Sequence, residues 1–210
     1  MSNYQLFQND LPLQSLKSFK GDITIDTETL GLNIKRDRLC LIQLRNESNK
    51  KVYLIKFDKE ISPANSKNIK SLLEDKSLTK IFHYARFDMA VLKENLNINV
   101  RNVFCTKIAS KLTRTYSSKH GLKDLVKEIL NVELDKTEQT SDWSQKKLSK
   151  QQIQYAMNDV IYLSDLKKNL EEKLQESKRL KTFKSIMNFL DVRVELDLMG
   201  WENTDIFAHK

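Results

Sequence analysis

The stretch Ile23-Thr24-Ile25-Asp26-Thr27-Glu28 decides how this chain is expected to fold, because a β-branched apolar run ends in two acidic residues. Such a run is typical of a strand in the middle of a sheet. Side chains of a strand alternate between its two faces, so Asp26 and Glu28 are predicted to share one face while Thr27 points to the other. The stretch therefore predicts a central strand that delivers two carboxylates to one point.

Two later segments also place a carboxylate on an expected element. Asp88 follows the apolar residues 81–82 and His83 and is predicted to lie near the start of a helix. Tyr155 and Asp159 are four positions apart, so a phenol and a carboxylate share one face of a helix about one turn apart. We expect the three segments to converge on a common site.

Several carboxylates at one point repel one another unless a cation binds between them, and hard oxygen ligands suit Mg²⁺ or Mn²⁺. Two such ions about 3.5–4 Å apart are an arrangement that hydrolyses phosphodiesters. We predict that Asp26 bridges two divalent cations and that Glu28, Asp88 and Asp159 are the other metal ligands. Tyr155 is predicted to orient the attacking water. All five residues are predicted to be catalytic.

Each acidic segment taken alone also has a purely structural interpretation. Asp26 and Glu28 fit the solvated end of a strand. Tyr155 and Asp159 fit a surface pair on a helix, and Asp88 fits an acid beneath a helix dipole. The three signals occur in order on the expected elements, and their combination favours a catalytic site.

Composition narrows the class of protein. The chain has 210 residues, of which 40% are hydrophobic and 30% charged, and this predicts one globular domain over residues 1–210. The net charge of +8 favours a polyanionic partner such as nucleic acid, although the dispersed lysines also fit a merely soluble surface.

No apolar run approaches the roughly 20 residues that span a bilayer, so no membrane partner is predicted. Cys40 and Cys105 are predicted to be buried reduced thiols, and the absence of a signal peptide predicts a cytoplasmic location.

Hydrophobic periodicity predicts an α/β fold, with a central mixed sheet flanked by helices and a helical C-terminal half. Ser149 is the predicted cap of the helix that carries Tyr155, and Gly200 is the predicted end of the last helix. The predicted strands are residues 22–27, 38–44, 51–55 and 80–83, and the predicted helices are residues 66–74, 87–95, 106–112, 121–130 and most of 149–197.

The acidic segments resemble the signature of the DEDD exonucleases, in the subgroup with a tyrosine four residues before the last aspartate. The matching segments are residues 25–29, 83–88 and 155–163. Other segments are similar to ribonuclease D and to the compact group called nano-RNase C. Those similar to ribonuclease D are residues 38–44, 120–123 and 141–144, and those similar to nano-RNase C are residues 104–116 and 205–209.

The resemblance implies a ribonuclease H-like (DEDD exonuclease) fold and a single 3′–5′ exonuclease domain over residues 1–210, with no HRDC-type accessory domain. It implies a 3′–5′ exoribonuclease that hydrolyses very short single-stranded RNA, notably dinucleotides, to nucleoside 5′-monophosphates. It also implies a homo-oligomer, with a ring-like octamer as the arrangement of the group.

Substrate-binding residues follow from the same resemblance. Leu30 matches an apolar wedge between the last two bases, and His83 lies where the terminal sugar or phosphate is contacted. Ordinary packing in the core remains an alternative for Leu30. For the charged candidates, the alternative is that they are solvated charges at the end of a helix. The full set of predicted substrate-binding residues is Thr27, Leu30, His83, Lys111, Arg114 and Tyr116, the last three for the 5′ side.

Two other functions remain open at this point. The first is trimming of structured RNA 3′ ends, such as those of tRNA precursors, in the manner of ribonuclease D. The second is a catalytically silent nucleic-acid-binding protein that keeps the fold. The complete set of acidic residues argues against the silent protein, because loss of one ligand is expected to disturb metal placement.

Overall fold

The computed structural model describes residues 4–135 and 137–209, with the side chains of residues 137 and 139 left out. Its strands and helices alternate through the first half of the chain, and helices dominate the second half. The strands are β1 (Tyr4–Gln8), β2 (Asp22–Thr29), β3 (Leu39–Asn46), β4 (Lys51–Lys56), β5 (Thr79–Phe82) and β6 (Val103–Cys105). The helices are α1 (Leu13–Leu16), α2 (Lys67–Glu74), α3 (Ala85–Leu96), α4 (Thr106–Thr113), α5 (Leu122–Leu130), α6 (Lys150–Ile161), α7 (Leu163–Glu176) and α8 (Leu180–Leu196).

The strands of the described chain form one mixed sheet in the order β1-β4-β3-β2-β5-β6. Strands β2, β3 and β4 pair antiparallel as consecutive hairpins, whereas β1–β4, β2–β5 and β5–β6 pair in parallel. The predicted mixed sheet is confirmed. Strands β1 and β6, which lie at its two edges, were not predicted, because β6 has only three residues and β1 forms by pairing with the distant β4.

The two faces of the sheet are covered by different helices. Ile23 and Ile25 of β2 pack in the main core together with Met89 and Leu92 of α3. On the other face, apolar residues of β3 and β4 pack against Ala156 and other residues of α6. Because side chains alternate along a strand, Thr27 lies on the α3 face, and Asp26 and Glu28 lie on the α6 face. This placement decides which residues of the site can meet.

The predicted start of α6 is confirmed in detail. The Ser149 hydroxyl accepts a hydrogen bond from the Gln152 backbone N–H at 3.0 Å, and the Gln152 side-chain oxygen accepts one from the Ser149 N–H at 2.9 Å. This reciprocal pair is a capping box, which satisfies two backbone donors at the helix N-terminus. Gly200, in the turn after α8, has φ of +98°, a conformation that favours glycine.

The state of the two cysteines and the presence of membrane-spanning helices can both be examined in the structure. Cys40 and Cys105 are both free and buried, as predicted. No helix in the described part of the chain combines the length and the apolar character that are needed to cross a membrane.

Candidate active site

Three carboxylates converge on the α6 face of the sheet. Asp26 and Glu28 lie near the C-terminal end of β2, and Asp159 lies on α6, which packs over that strand. One carboxylate oxygen from each residue lies within 4.8 Å of the other two. All three residues are partly exposed, so a cation has access to them. The structure thus brings together three of the four predicted metal ligands at one point.

Asp88 reaches the same region from the other face. It lies in the first turn of α3, which follows the C-terminal end of β5, and β5 runs parallel to β2. Its side chain is buried, and its Oδ1 atom accepts a hydrogen bond of 2.7 Å from the Thr27 hydroxyl. Asp88 is the acidic residue whose charge acts most strongly on Asp26. The fourth predicted ligand therefore adjoins the cluster, although it enters from the opposite side of the sheet.

The electrostatics of the site favour a bound cation. Burial, followed by repulsion from the neighbouring carboxylates, raises the pKa of Asp26 and that of Glu28 well above their ordinary values. Burial is also the main reason why the pKa of Asp88 rises to about 7. Oxygen atoms are the only donors that these residues offer, and such hard donors fit Mg²⁺ or Mn²⁺. The acidic residues therefore fit a divalent-cation site.

Tyr155 lies one helical turn before Asp159, as predicted, and its phenol hydrogen-bonds to the Asp159 carboxylate. Burial, followed by the negative charges of Asp159 and Glu28, raises the pKa of Tyr155 far above its usual range. The phenol therefore stays protonated at neutral pH and acts as a hydrogen-bond donor. A phenol is a poor base near neutral pH, so orientation of the attacking water is the role that this geometry favours.

The loop before α6 supports Tyr155. The Trp143 ring packs against the Tyr155 ring, with centroids 5.9 Å apart. The Trp143 carbonyl accepts a hydrogen bond of 3.1 Å from the buried Lys56 ammonium of β4, and the Gln152 amide donates to the Asp142 carbonyl at 3.0 Å. These contacts hold the loop that carries Trp143 against both the sheet and α6. The contribution of Lys56 has no local sequence signal, because the loop and β4 are far apart in the chain.

A cavity of about 610 Å³ opens over the cluster. Thr27, Leu30 and His83, all predicted to bind substrate, contribute to its lining. Leu30 is 50% exposed, which fits a substrate contact better than a core position. His83 Nδ1 is hydrogen-bonded to the Thr106 hydroxyl at 2.9 Å, which fixes the orientation of the imidazole.

The three residues predicted to hold the 5′ side of the substrate lie elsewhere. Arg114, directly after α4, is fully buried and pairs with Glu128 of α5. The Tyr116 hydroxyl donates to the same Glu128 carboxylate at 2.8 Å, and Lys111 is an exposed residue of α4. Within the described residues, the cavity lining includes none of these three side chains. Arg114 is therefore neither a solvated charge at a helix end nor accessible to a ligand, and its role is structural. Contact of Lys111 and Tyr116 with RNA stays a prediction.

Sequence reasoning missed the cations that do line the cavity, which are Lys107 and Lys123. The Lys107 ammonium lies 4.2 Å from the centre of the Tyr84 ring, and Tyr84 also lines the cavity. Tyr84 has φ of +76°, which is uncommon for a residue other than glycine. The sequence did offer a way to find Lys107, Lys123 and Tyr84, because each lies inside a segment that carries the family resemblance.

Comparison with known proteins agrees with this geometry. The family described as 3′-5′ exonuclease matches residues 7–175. The structure is similar to NrnC of Brucella melitensis, solved both bound to pGG (TM-score 0.91) and with bound Mg²⁺ (TM-score 0.90). Each is 44% identical and covers 99% of this chain and at least 98% of that chain.

Similarity to ribonuclease D is more distant. The Escherichia coli RNase D structure, an exoribonuclease involved in structured RNA processing, has a TM-score of 0.73 and 25% identity, covering 86% of this chain and 46% of that one. Ribonuclease D of Bartonella henselae is 29% identical over 157 residues, which is 75% of this chain and 37% of that protein. The chain thus spans less than half the length of these two relatives. The predicted ribonuclease H-like exonuclease fold is confirmed.

Proposed function

Because the chain belongs to the 3′-5′ exonuclease family, we propose that it is a metal-dependent exoribonuclease that hydrolyses very short RNA, notably dinucleotides, to nucleoside 5′-monophosphates. The observation that carries the proposal is a cavity whose lining contains both the three clustered carboxylates and the cations Lys107 and Lys123. Its volume of about 610 Å³ falls within the range of small-ligand sites. The bound pGG of the Brucella protein, a relative that matches almost the whole chain, supports the same substrate class.

We propose that two divalent cations, Mg²⁺ or Mn²⁺, bind the acidic residues, with Asp26 as the shared ligand. Glu28 and Asp159 complete one position, and Asp88 serves the other. Bound cations of this kind stabilise negative charge on the phosphate and acidify water. The oxygen-only donor set and the raised pKa values of Asp26, Glu28 and Asp88 support this assignment.

The protein's own side chains orient the substrate. The Tyr155 hydroxyl, which donates its proton to Asp159, accepts a hydrogen bond from the attacking water and so fixes the position of that water beside Asp159. Leu30 separates the two bases, and His83 contacts the terminal nucleotide. Lys107 and Lys123 attract the phosphate at the 5′ side, a role for which Lys111, Arg114 and Tyr116 were predicted.

A length series of RNA substrates tests the proposal. Purified protein with Mg²⁺ is incubated with 5′-labelled RNAs of two to twenty nucleotides, and initial rates are measured. We expect the dinucleotide to be hydrolysed fastest, with rates that fall steeply as 5′ nucleotides are added. Equal or faster hydrolysis of the longest RNA would contradict the substrate assignment. Asp26→Asn is the control for contaminating nucleases, because it is expected to lose nearly all activity.

The similarity to Escherichia coli RNase D favours one second candidate, trimming of structured RNA 3′ ends. Efficient shortening of a tRNA precursor, at a rate equal to that of dinucleotide hydrolysis, would support this function over the first. The chain is proposed to act as a single catalytic domain in either case.

A further inference from the structure

Thr27 is the residue through which the two faces of the site are joined. It stands between Asp26 and Glu28 in β2, but its side chain lies on the α3 face, where its hydroxyl donates to Asp88 at 2.7 Å. Thr27 and Asp88 are both buried, and they are 61 positions apart in the sequence. The hydrogen bond therefore ties a residue of α3 to the same stretch of backbone that carries two other acidic residues.

The topology brings Asp88 near Asp26, because α3 follows β5 and packs on β2, and the hydrogen bond adds a direct side-chain link to β2. Helix α3 and helix α6 lie on opposite faces of the sheet, so packing of α6 does not position Asp88. The hydroxyl is the main hydrogen-bond donor to a carboxylate that is only 3% exposed, and backbone N–H groups of Asp88 and Thr27 also donate to it. A carboxylate has about four acceptor sites, so it can still bind a cation. Metal sites tolerate errors in ligand position of only about 0.5 Å.

We propose that Thr27 is a positioning residue, whose hydroxyl holds Asp88 at the distance from Asp26 and Glu28 that a second divalent cation requires. This inference rests on the proposed two-cation site. The predicted contact of Thr27 with substrate stays a prediction, because Thr27 also lines the cavity. Residues that hold a metal ligand in place commonly account for about 10- to 100-fold in metal affinity or activity.

The inference is tested with Thr27→Val, which removes the hydroxyl and nearly preserves the shape, and with Thr27→Ser, which restores the hydroxyl. Thr24→Val is the matched control. Thr24 lies on the same strand and is equally buried, and its hydroxyl has no hydrogen-bond partner among the described residues. Mn²⁺ binding is measured by titration calorimetry without substrate, and the Mg²⁺ dependence of dinucleotide hydrolysis is measured separately.

We expect Thr27→Val to weaken one of two Mn²⁺ binding steps by about 10- to 100-fold and to raise the half-saturating Mg²⁺ concentration by a similar factor. Thr27→Ser is expected to stay within about threefold of the wild type for both, and Thr24→Val to match the wild type. Thr27→Val with unchanged Mn²⁺ binding would overturn the inference. So would equal losses in Thr27→Val and Thr24→Val, because these would reflect packing of the strand.

Two further measurements keep the outcome unambiguous. Circular dichroism verifies the fold of each variant, and Thr27→Ala, which also lacks the hydroxyl, provides the measurement if Thr27→Val does not fold. Calorimetry needs no RNA, so it tests Thr27 even if the wild-type protein fails to hydrolyse dinucleotides. Failure of the proposed function and failure of this inference are therefore distinguishable.

Discussion

Asp88 shows how a single buried carboxylate links the site to the stability of the fold. Its pKa is about 7 in the folded protein and close to 3.8 in the unfolded chain. Between these two values the folded state binds more protons than the unfolded state, so this group stabilises the fold less as pH rises. Bound cations oppose that loss, because they bind the folded state and stabilise the charged carboxylate.

The first prediction concerns this dependence on pH. Asp88→Asn removes the titrating group, so we expect the melting temperature of the metal-free variant, relative to that of the wild type, to increase as pH rises from about 4 to about 7. Addition of Mg²⁺ at pH 7 is expected to stabilise the wild type more than the variant. Differential scanning calorimetry at fixed ionic strength measures both effects. A difference in melting temperature that is constant across this range would contradict the raised pKa that burial gives Asp88.

Tyr155 carries the second prediction. Tyr155→Phe removes the donor hydroxyl and retains the ring that packs against Trp143. We expect kcat for a dinucleotide to fall by roughly 10²–10⁴-fold, the range of a positioned proton donor or acceptor, with little change in the Mg²⁺ dependence. Single-turnover kinetics in Mg²⁺ measures the effect. A variant with the wild-type rate would remove Tyr155 from the mechanism.

Residues of the site differ in how far the sequence predicts them. Alternation along β2 was enough to place Asp26 and Glu28 together, because that pattern is local. The partner of Thr27 was not predictable, because it depends on which face of the sheet α3 covers. Arg114 was predicted to bind substrate, with a solvated helix end as the alternative, yet it is buried, because its partner Glu128 comes from the next helix.

Helix α6 is the element on which the site depends most, because it supplies both Tyr155 and Asp159. Its capping box at Ser149 fixes the helix start six residues before Tyr155. Substitution of a capping serine by alanine typically costs about 1 kcal/mol. The cap therefore contributes to the stability of the catalytic helix without contacting the substrate.

The third prediction is that Ser149→Ala lowers the free energy of unfolding by about 1 kcal/mol. Denaturant titration followed by circular dichroism measures this value. Ser71→Ala is the matched control, since Ser71 is an exposed residue inside α2 and alanine favours a helix interior. Equal stability of Ser149→Ala and the wild type would show that the cap does not stabilise α6.

Elements with strong local patterns were predicted and the edge strands were not. The strands β2 to β5 contain β-branched or leucine-rich runs bounded by turn residues, and α6 has an N-cap signal. Strand β6 has three residues, and β1 forms by pairing in parallel with β4, more than 40 positions away. Long-range pairing of this kind leaves little periodicity in a short segment.

At the scale of the whole molecule, apolar surface remains near the C-terminus. Phe207 is 77% exposed and its ring lies 6.1 Å from that of Phe189 on α8, with Met199 and Trp201 also exposed nearby in sequence. Exposed apolar groups that cluster in this way commonly mark protein–protein contacts. This surface supports the predicted self-association, for which the family resemblance implies an octamer.

The fourth prediction is therefore a solution mass above that of one chain, 24.6 kDa. Size-exclusion chromatography with light scattering measures it, and Phe207→Ser is expected to shift the distribution toward smaller species. A mass of one chain at every protein concentration would contradict the predicted homo-oligomer.

The most direct test of the central claim is anomalous diffraction from crystals grown with Mn²⁺. The account predicts one anomalous peak bounded by oxygens of Asp26, Glu28 and Asp159, and a second between Asp26 and Asp88. Crystals of Asp26→Asn, grown in the same way, are expected to lose both peaks. Wild-type crystals in which these carboxylates carry no anomalous density at saturating Mn²⁺ would contradict the claim that they hold the cations of a nuclease.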